Sequence, residues 1–171
     1  MNVLLIQGAN MQFLGRREPH IYGTTTAEQL NAILRRKAKA LGMTLDIRYT
    51  NLEGVAITWI YEAVDGDCDG VLMNPAGFTH SGYALRDCLR AVPLPYVEVH
   101  MTNIDARGFH SVTAPSAKGI IAGFGVQSYV LGLEALHGIL TAAAPAQREP
   151  APARAAAPRR AKGTARSPRR R

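Results

Sequence analysis

Val3 to Ile6 form an unbroken apolar run that stops at Gly8. A short block with no polar alternation suits a β-strand covered on both faces. Helical spacing follows a polar loop: Thr26 stands as a cap, Ala27, Leu30, Ile33, Leu34, Ala38 and Leu41 recur on one face, and Gly42 closes the element. "MTLDIRY" then predicts a strand, "EGVAITWIYEAVDG" an amphipathic helix and "DGVLMN" a second fully buried strand. Further on, "GYALRDCLRAV" reads as a helix, "LPYVEVH" and "GIIAGFG" as strands, and "VQSYVLGLEALHGIL" as a last helix.

Strands and helices that alternate with short connections predict an α/β class fold, a doubly wound parallel five-stranded sheet with helices on both faces. The size matches a flavodoxin-like strand order of 2-1-3-4-5, in which ligands sit outside the carboxyl ends of the strands near the switch point. Composition changes this picture only at the far end. Residues 142–171 are built from Ala, Pro and Arg without one large apolar side chain, so they cannot bury enough surface to offset the entropy of ordering. The expected division is a catalytic domain over 1–141 and a disordered basic tail over 142–171.

That tail holds nine basic residues against one acid, Glu149, so it carries +8 of a chain whose net charge is +7, and the body sums to −1. The tail is expected to attract polyanions without sequence choice, or simply to solubilise. Cys68 and Cys88 show no metal-ligand spacing and read as reduced core thiols. The start, "MNVLLIQGAN", has neither a basic leader region nor an apolar run of membrane-spanning length, so no membrane association is expected and the cytoplasm is the expected compartment.

The predicted strand ends present amides, hydroxyls and imidazoles: Asn10 after the first, Asn74 with Thr79 and His80 after the third, Glu98, His100, Thr102 and Asn103 at the fourth. The chain has no phosphate loop of the G-x-x-x-x-G-K-[ST] type, no G-x-G-x-x-G on the first strand and no Cys or His pair at zinc spacing. What remains is acid–base work without metal or cofactor. The loop "GRREPHIYG" places arginines beside a tyrosine. A tyrosine ordinarily ionises near pH 10, so base work near neutrality needs roughly 4 kcal/mol of phenolate stabilisation. One guanidinium about 4 Å away supplies a term of that order at an effective dielectric of about 20. Arg17, or else Arg16, is the expected partner of Tyr22, with His100 as proton donor and Glu98 or a backbone carbonyl setting its tautomer. Glu98 and His100 are two apart in a strand and so share a face. His80 sits where the next helix starts and reads first as its cap.

"GANMQFLGRREPHIYG", "TNLEG", "NPAGFTHSGYALRD", "PYVEVHMTNIDAR" and "AKGIIAGFGVQSYVLGLEAL" together make residues 2–140 resemble the type II 3-dehydroquinate dehydratases. The resemblance implies a cofactor-free anti elimination of water from 3-dehydroquinate through an enolate, in the shikimate or quinate pathway, by a dodecamer of four trimers. It assigns Tyr22 as base, Arg17 as its activator, Asn10 as a positioning group for the tyrosine and a water, and His100 as acid. It also implies that Asn74, Met101 and Thr102 bind the C1 hydroxyl and carboxylate, His80 a ring hydroxyl, and Asp87 the site of a neighbouring subunit. The family reads G-P-N-L-N where this chain has Gly8 to Gln12, and a histidine where Leu52 stands. "ARGFHS", residues 106–111, is shorter than the family pattern and lacks its arginine for the ring hydroxyls; Arg107 matches a different family arginine and is the candidate substitute. A paralogous lyase acting on a related hydroxy-keto acid, or an idle oligomer with nucleic-acid-binding tails, are the alternatives.

Overall fold

A computed structural model describes residues 1–143 of the chain. Five strands, β1 (Asn2–Ala9), β2 (Thr44–Tyr49), β3 (Gly70–Ala76), β4 (Tyr96–His100) and β5 (Gly119–Ala122), form one sheet in the order β2-β1-β3-β4-β5. Every pairing is parallel, so all five carboxyl ends lie along one rim. The helices are α1 (Pro19–Tyr22), α2 (Ala27–Ala40), α3 (Glu53–Asp65), α4 (Tyr83–Ala91) and α5 (Gln127–Ala143). The class, the strand order and the two-sided covering follow the expectation from the apolar pattern.

β1 shows why its apolar run has no polar alternation. Val3 and Leu5 pack with the buried faces of α2 and α5, while Leu4 and Ile6 pack with those of α3 and α4. Successive side chains of a strand point to opposite faces, so a strand with helices on both sides needs an apolar residue at each position. Thr26 caps α2 as its position predicts: its Oγ1 accepts from the Gln29 N–H at 3.2 Å, and Gln29 Oε1 accepts from the Thr26 N–H at 2.9 Å. Cys88 is buried among the α3/α4 residues and Cys68 half-buried beside them; both are free thiols.

Two details differ from the sequence reading. Residues 19–22, expected as loop, form a single helical turn that Pro19 starts, with Pro in the first turn of the helix. α5 runs to Ala143, so Ala142 and Ala143 belong to the folded body, and the rest of the expected tail lies outside the described residues. No helix among the described residues is long and apolar enough to cross a membrane.

β1 and β3 approach each other closely just before their ends. A Cβ at Gly8 would stand 2.0 Å from the Pro75 carbonyl oxygen, a distance no side chain occupies. Gly8→Ala therefore forces backbone apart at the centre of the sheet and is expected to cost at least the ~1–3 kcal/mol typical of overpacking, read as a fall in the urea midpoint relative to the unsubstituted protein.

Candidate active site

Beyond β1 the chain turns at Asn10, which holds φ 74, and its N–H donates to Asn51 Oδ1 at 2.8 Å. Asparagine tolerates this left-handed backbone better than most residues. A 3₁₀ turn over Met11–Phe13 leads to Gly15 at φ 84, and α1 then returns Tyr22 toward the strand ends. The resulting pocket is lined by Asn10, Arg17 and Tyr22 from this segment, by Asn74, Thr79 and His80 from the end of β3, and by His100, Met101, Thr102, Arg107 and Phe109 from the end of β4 and beyond. It stands at the rim and switch point where the topology places ligands.

Tyr22 carries guanidinium groups on two sides. Arg17 lies with its Cζ 5.5 Å from the ring centroid, while its Nε donates to Glu18 Oε2 at 3.2 Å. Arg107 Nη1 donates to the Tyr22 hydroxyl oxygen at 3.1 Å and also to Thr102 Oγ1 at 3.1 Å. The same guanidinium packs on Phe109, 5.0 Å from that ring's centroid. Positive charge thus meets Tyr22 as the loop composition predicts, and the group on its oxygen is Arg107, which the resemblance had placed against substrate. Of the two loop arginines, Arg17 lines the pocket and Arg16 is exposed away from it.

His100 ends β4 buried, with its Nε2 2.7 Å from Glu98 Oε1. Glu98 is fully buried, and its other oxygen accepts from the Tyr96 hydroxyl and, at 2.7 Å, from Thr113 Oγ1. Since Thr113 spends its proton on Glu98, Ser111 donates to Thr113 across 3.0 Å. Burial pushes the Glu98 carboxyl upward, but the hydrogen bonds from His100, Tyr96 and Thr113, with Ser111 beside them, outweigh it and leave the group below its ordinary range. Tyr96, pushed far up by burial and by the Glu98 charge, remains a hydroxyl donor. A carboxylate on Nε2 fixes the proton there and turns Nδ1 of His100 to the remaining direction.

Asn74 is buried with its amide held at both ends, and His80 meets Phe109 edge-on with ring centroids 4.8 Å apart. Asp87 does not line the pocket; it is exposed on α4, with Oδ1 3.6 Å from Arg86 Nε. Sequence reasoning missed Phe109 as a wall of the site, Thr113 and Ser111 as supports of Glu98, and Gln7 and Tyr129 behind Asn74. A signal existed for one of these, since Gln7 interrupts a buried apolar run, and for the further support Tyr96, which alternates with Glu98 and His100 along one strand. Among the described residues no group of three or more His, Cys, Asp and Glu side chains is placed to hold a metal ion.

A doubly wound α/β domain whose switch-point pocket gathers a tyrosine, two guanidinium groups and a carboxylate-paired histidine has the equipment of an acid–base enzyme. The sequence matches the "Dehydroquinase class II" family over residues 1–137. It is 47% identical over 134 residues to the 3-dehydroquinate dehydratase of Thermus thermophilus, covering 77% of this chain and 90% of that one. The 3-dehydroquinate dehydratase of Sinorhizobium medicae is 41% identical over 140 residues, covering 80% of this chain and 94% of that one. Among solved structures, the type II dehydroquinase of Butyrivibrio crossotus superposes with a TM-score of 0.77 at 36% identity, over 80% of this chain and 97% of that one. The chain belongs to the class II dehydroquinase family.

The Glu98 hub carries a pH signature. A carboxyl held low in the folded protein contributes stability that is complete above its unfolded value, about 4.3, and is lost as pH falls through the folded value. Glu98→Gln offers one oxygen to three donors and is expected to cost about 1.5–3 kcal/mol at pH 7. Urea midpoints measured from pH 7 down to pH 3 should show the gap between the two proteins closing on acidification.

Proposed function

We propose that this protein is a hydro-lyase that converts 3-dehydroquinate to 3-dehydroshikimate and water. The observation that carries the reading is the convergence on one pocket of Tyr22, its oxygen bonded to Arg107, and His100, its far nitrogen bonded to buried Glu98. Tyr22 as phenolate takes the proton from C2, and the electron pair moves to form an enolate with the C3 carbonyl. The C1–oxygen bond then breaks as the pair returns to form the C1=C2 double bond, and His100, acting as an imidazolium with Nε2–H kept on Glu98, delivers its Nδ1 proton to the departing hydroxyl. One water leaves, and the tyrosine proton and the histidine vacancy are restored through solvent. The steps need no cofactor.

Arg17 and Arg107 supply the charge against which a phenolate is stable, one over the ring and one at the oxygen. Asn10 positions the tyrosine end of the pocket; Asn74, Met101 and Thr102 receive the C1 hydroxyl and carboxylate; His80, against Phe109, takes a ring hydroxyl. Asp87, exposed and outside this pocket, fits a role in the site of a neighbouring copy, in keeping with a dodecamer of four trimers. The basic tail takes no part in this chemistry and contacts polyanions without sequence choice, and the cytoplasm is the matching compartment.

Absorbance of the conjugated enone should rise when the protein meets 3-dehydroquinate. Tyr22→Phe is expected to lower kcat by about 10²–10⁴-fold, and no rise from the folded wild-type protein at millimolar substrate would overturn the reading. Arg107→Ala, which removes the guanidinium from the Tyr22 oxygen, should lower kcat/KM by about 10–100-fold, the loss of one charged hydrogen bond. Deleting residues 144–171 should leave kcat and KM unchanged while abolishing salt-sensitive retention on a polyanion column.

A further inference from the structure

A chain of hydrogen bonds runs from the end of β3 into the core, and a backbone group fixes its direction. Ala76 sits at φ 47, and its N–H donates to Asn74 Oδ1 at 3.0 Å. Because a backbone N–H only donates, the oxygen of the Asn74 amide must be the atom on that side. Its Nδ2 therefore faces the Tyr129 hydroxyl, 2.8 Å away, which accepts. Tyr129 must then pass its own proton to an acceptor, and Gln7 Oε1 receives it at 2.7 Å.

The orientation of Gln7 follows from the same logic, and its buried Nε2 makes no hydrogen bond of good geometry among the described residues, with the Tyr49 hydroxyl, itself donating to Asn31 Oδ1 at 2.8 Å, as its neighbour. Buried polar groups are almost always paired, so an orphan here marks a constraint imposed from elsewhere. That constraint is the polarity set at Ala76. Gln7 and Tyr129 are fully buried and do not line the pocket, whereas Asn74 does. Burial also drives the Tyr129 phenol well above the ordinary tyrosine range, opposed in part by its bonds to Asn74 and Gln7, so it stays a hydroxyl able to accept and donate at once.

We propose that Tyr129, held by Gln7, is a positioning residue that locks the Asn74 amide so that its second N–H, never its carbonyl, is available to an oxygen of the bound substrate. Tyr129 consumes one of the two protons on Nδ2, and the other is the donor left for the pocket. With Tyr129 absent, the amide loses one of two restraints, and conformers that turn the N–H away compete with binding. The assignment rests on the reading of Asn74 as a substrate ligand, so the test has one arm that uses turnover and one that does not.

The turnover arm is a double-variant cycle on the full chain with 3-dehydroquinate. Tyr129→Phe, which keeps the ring, should raise KM roughly fivefold with a smaller change in kcat, Asn74→Ala should raise KM at least as much, and the double variant should match Asn74→Ala alone. Additive effects of the two substitutions would mean that Tyr129 acts by general stability and would overturn the proposal. The second arm follows solvent exchange of the Asn74 side-chain amide protons by ¹⁵N-resolved magnetic resonance. They should be protected in the wild type and exchange at least about tenfold faster in Tyr129→Phe; unchanged exchange overturns the proposal even if the enzyme acts on another substrate. If Tyr129→Phe fails to fold, Gln7→Met, which removes only the acceptor, should show the same KM rise and the same loss of protection, and the absence of both in that variant overturns it.

Discussion

The contact on which the site depends is the passage of β1 beside β3 at Gly8. Only a residue without a Cβ lets the Pro75 carbonyl lie where it does. The register that results sets Ala9 opposite Ala76, so the two strands end together and the turns at Asn10 and Asn74 open into one space. Both turns are made by backbone in the positive-φ region without glycine, at Asn10 and at Ala76. Such positions are costly for ordinary residues and persist where the surrounding structure holds them. Here the holding groups are visible: Asn51 accepts from the Asn10 N–H, and the Asn74 side chain accepts from the Ala76 N–H.

The second requirement is a buried negative charge that does not destabilise the core. Glu98 is fully buried between β3 and β5, and an unpaired carboxylate there would protonate or unfold the strand. Three donors on its two oxygens keep it ionised, and one of these is His100. The same arrangement that makes the charge tolerable therefore fixes which nitrogen of His100 is engaged. Charge tolerance and the orientation of His100 are one problem with one solution: Tyr96 supplies one hydroxyl from β4 itself, and Thr113, supported by Ser111, brings another from a distant segment.

The fold was legible because the central strands β1 and β3 are buried on both faces and so write nearly continuous apolar runs, and because Thr26 and Gly42 mark the ends of α2 in the expected chemistry. Strand periodicity put Glu98 and His100 on one face, with a backbone carbonyl as the other candidate partner of the imidazole, and the structure pairs the two side chains. The arginine on Tyr22 was not. Arg107 is far from Tyr22 in sequence, and its approach is created by the turn over residues 105–107 and by Phe109 beneath the guanidinium, neither of which leaves a periodic trace. The one-turn helix that carries Tyr22 was read as loop because four residues hold too little pattern to separate a turn of helix from a turn of chain, although Pro19 marks its start. The chain through Tyr129 was invisible for a different reason: a tyrosine in an apolar helix reads as packing, and only its partners show that its hydroxyl is spoken for.

The pocket divides its labour by burial. His100, Asn74 and Met101 are buried at strand ends, held by groups that are themselves buried, whereas Arg17, Arg107 and His80 come from exposed or half-exposed segments. Groups fixed in the sheet pay little further ordering entropy when a ligand binds, whereas those at the rim must still be ordered. Groups at the rim are solvated until a ligand excludes water, and their electrostatic effect on a phenolate grows as water leaves. A short segment over residues 106–111 that stacks its arginine between two aromatic rings compensates for that exposure, since Tyr22 and Phe109 restrict the guanidinium before any ligand arrives.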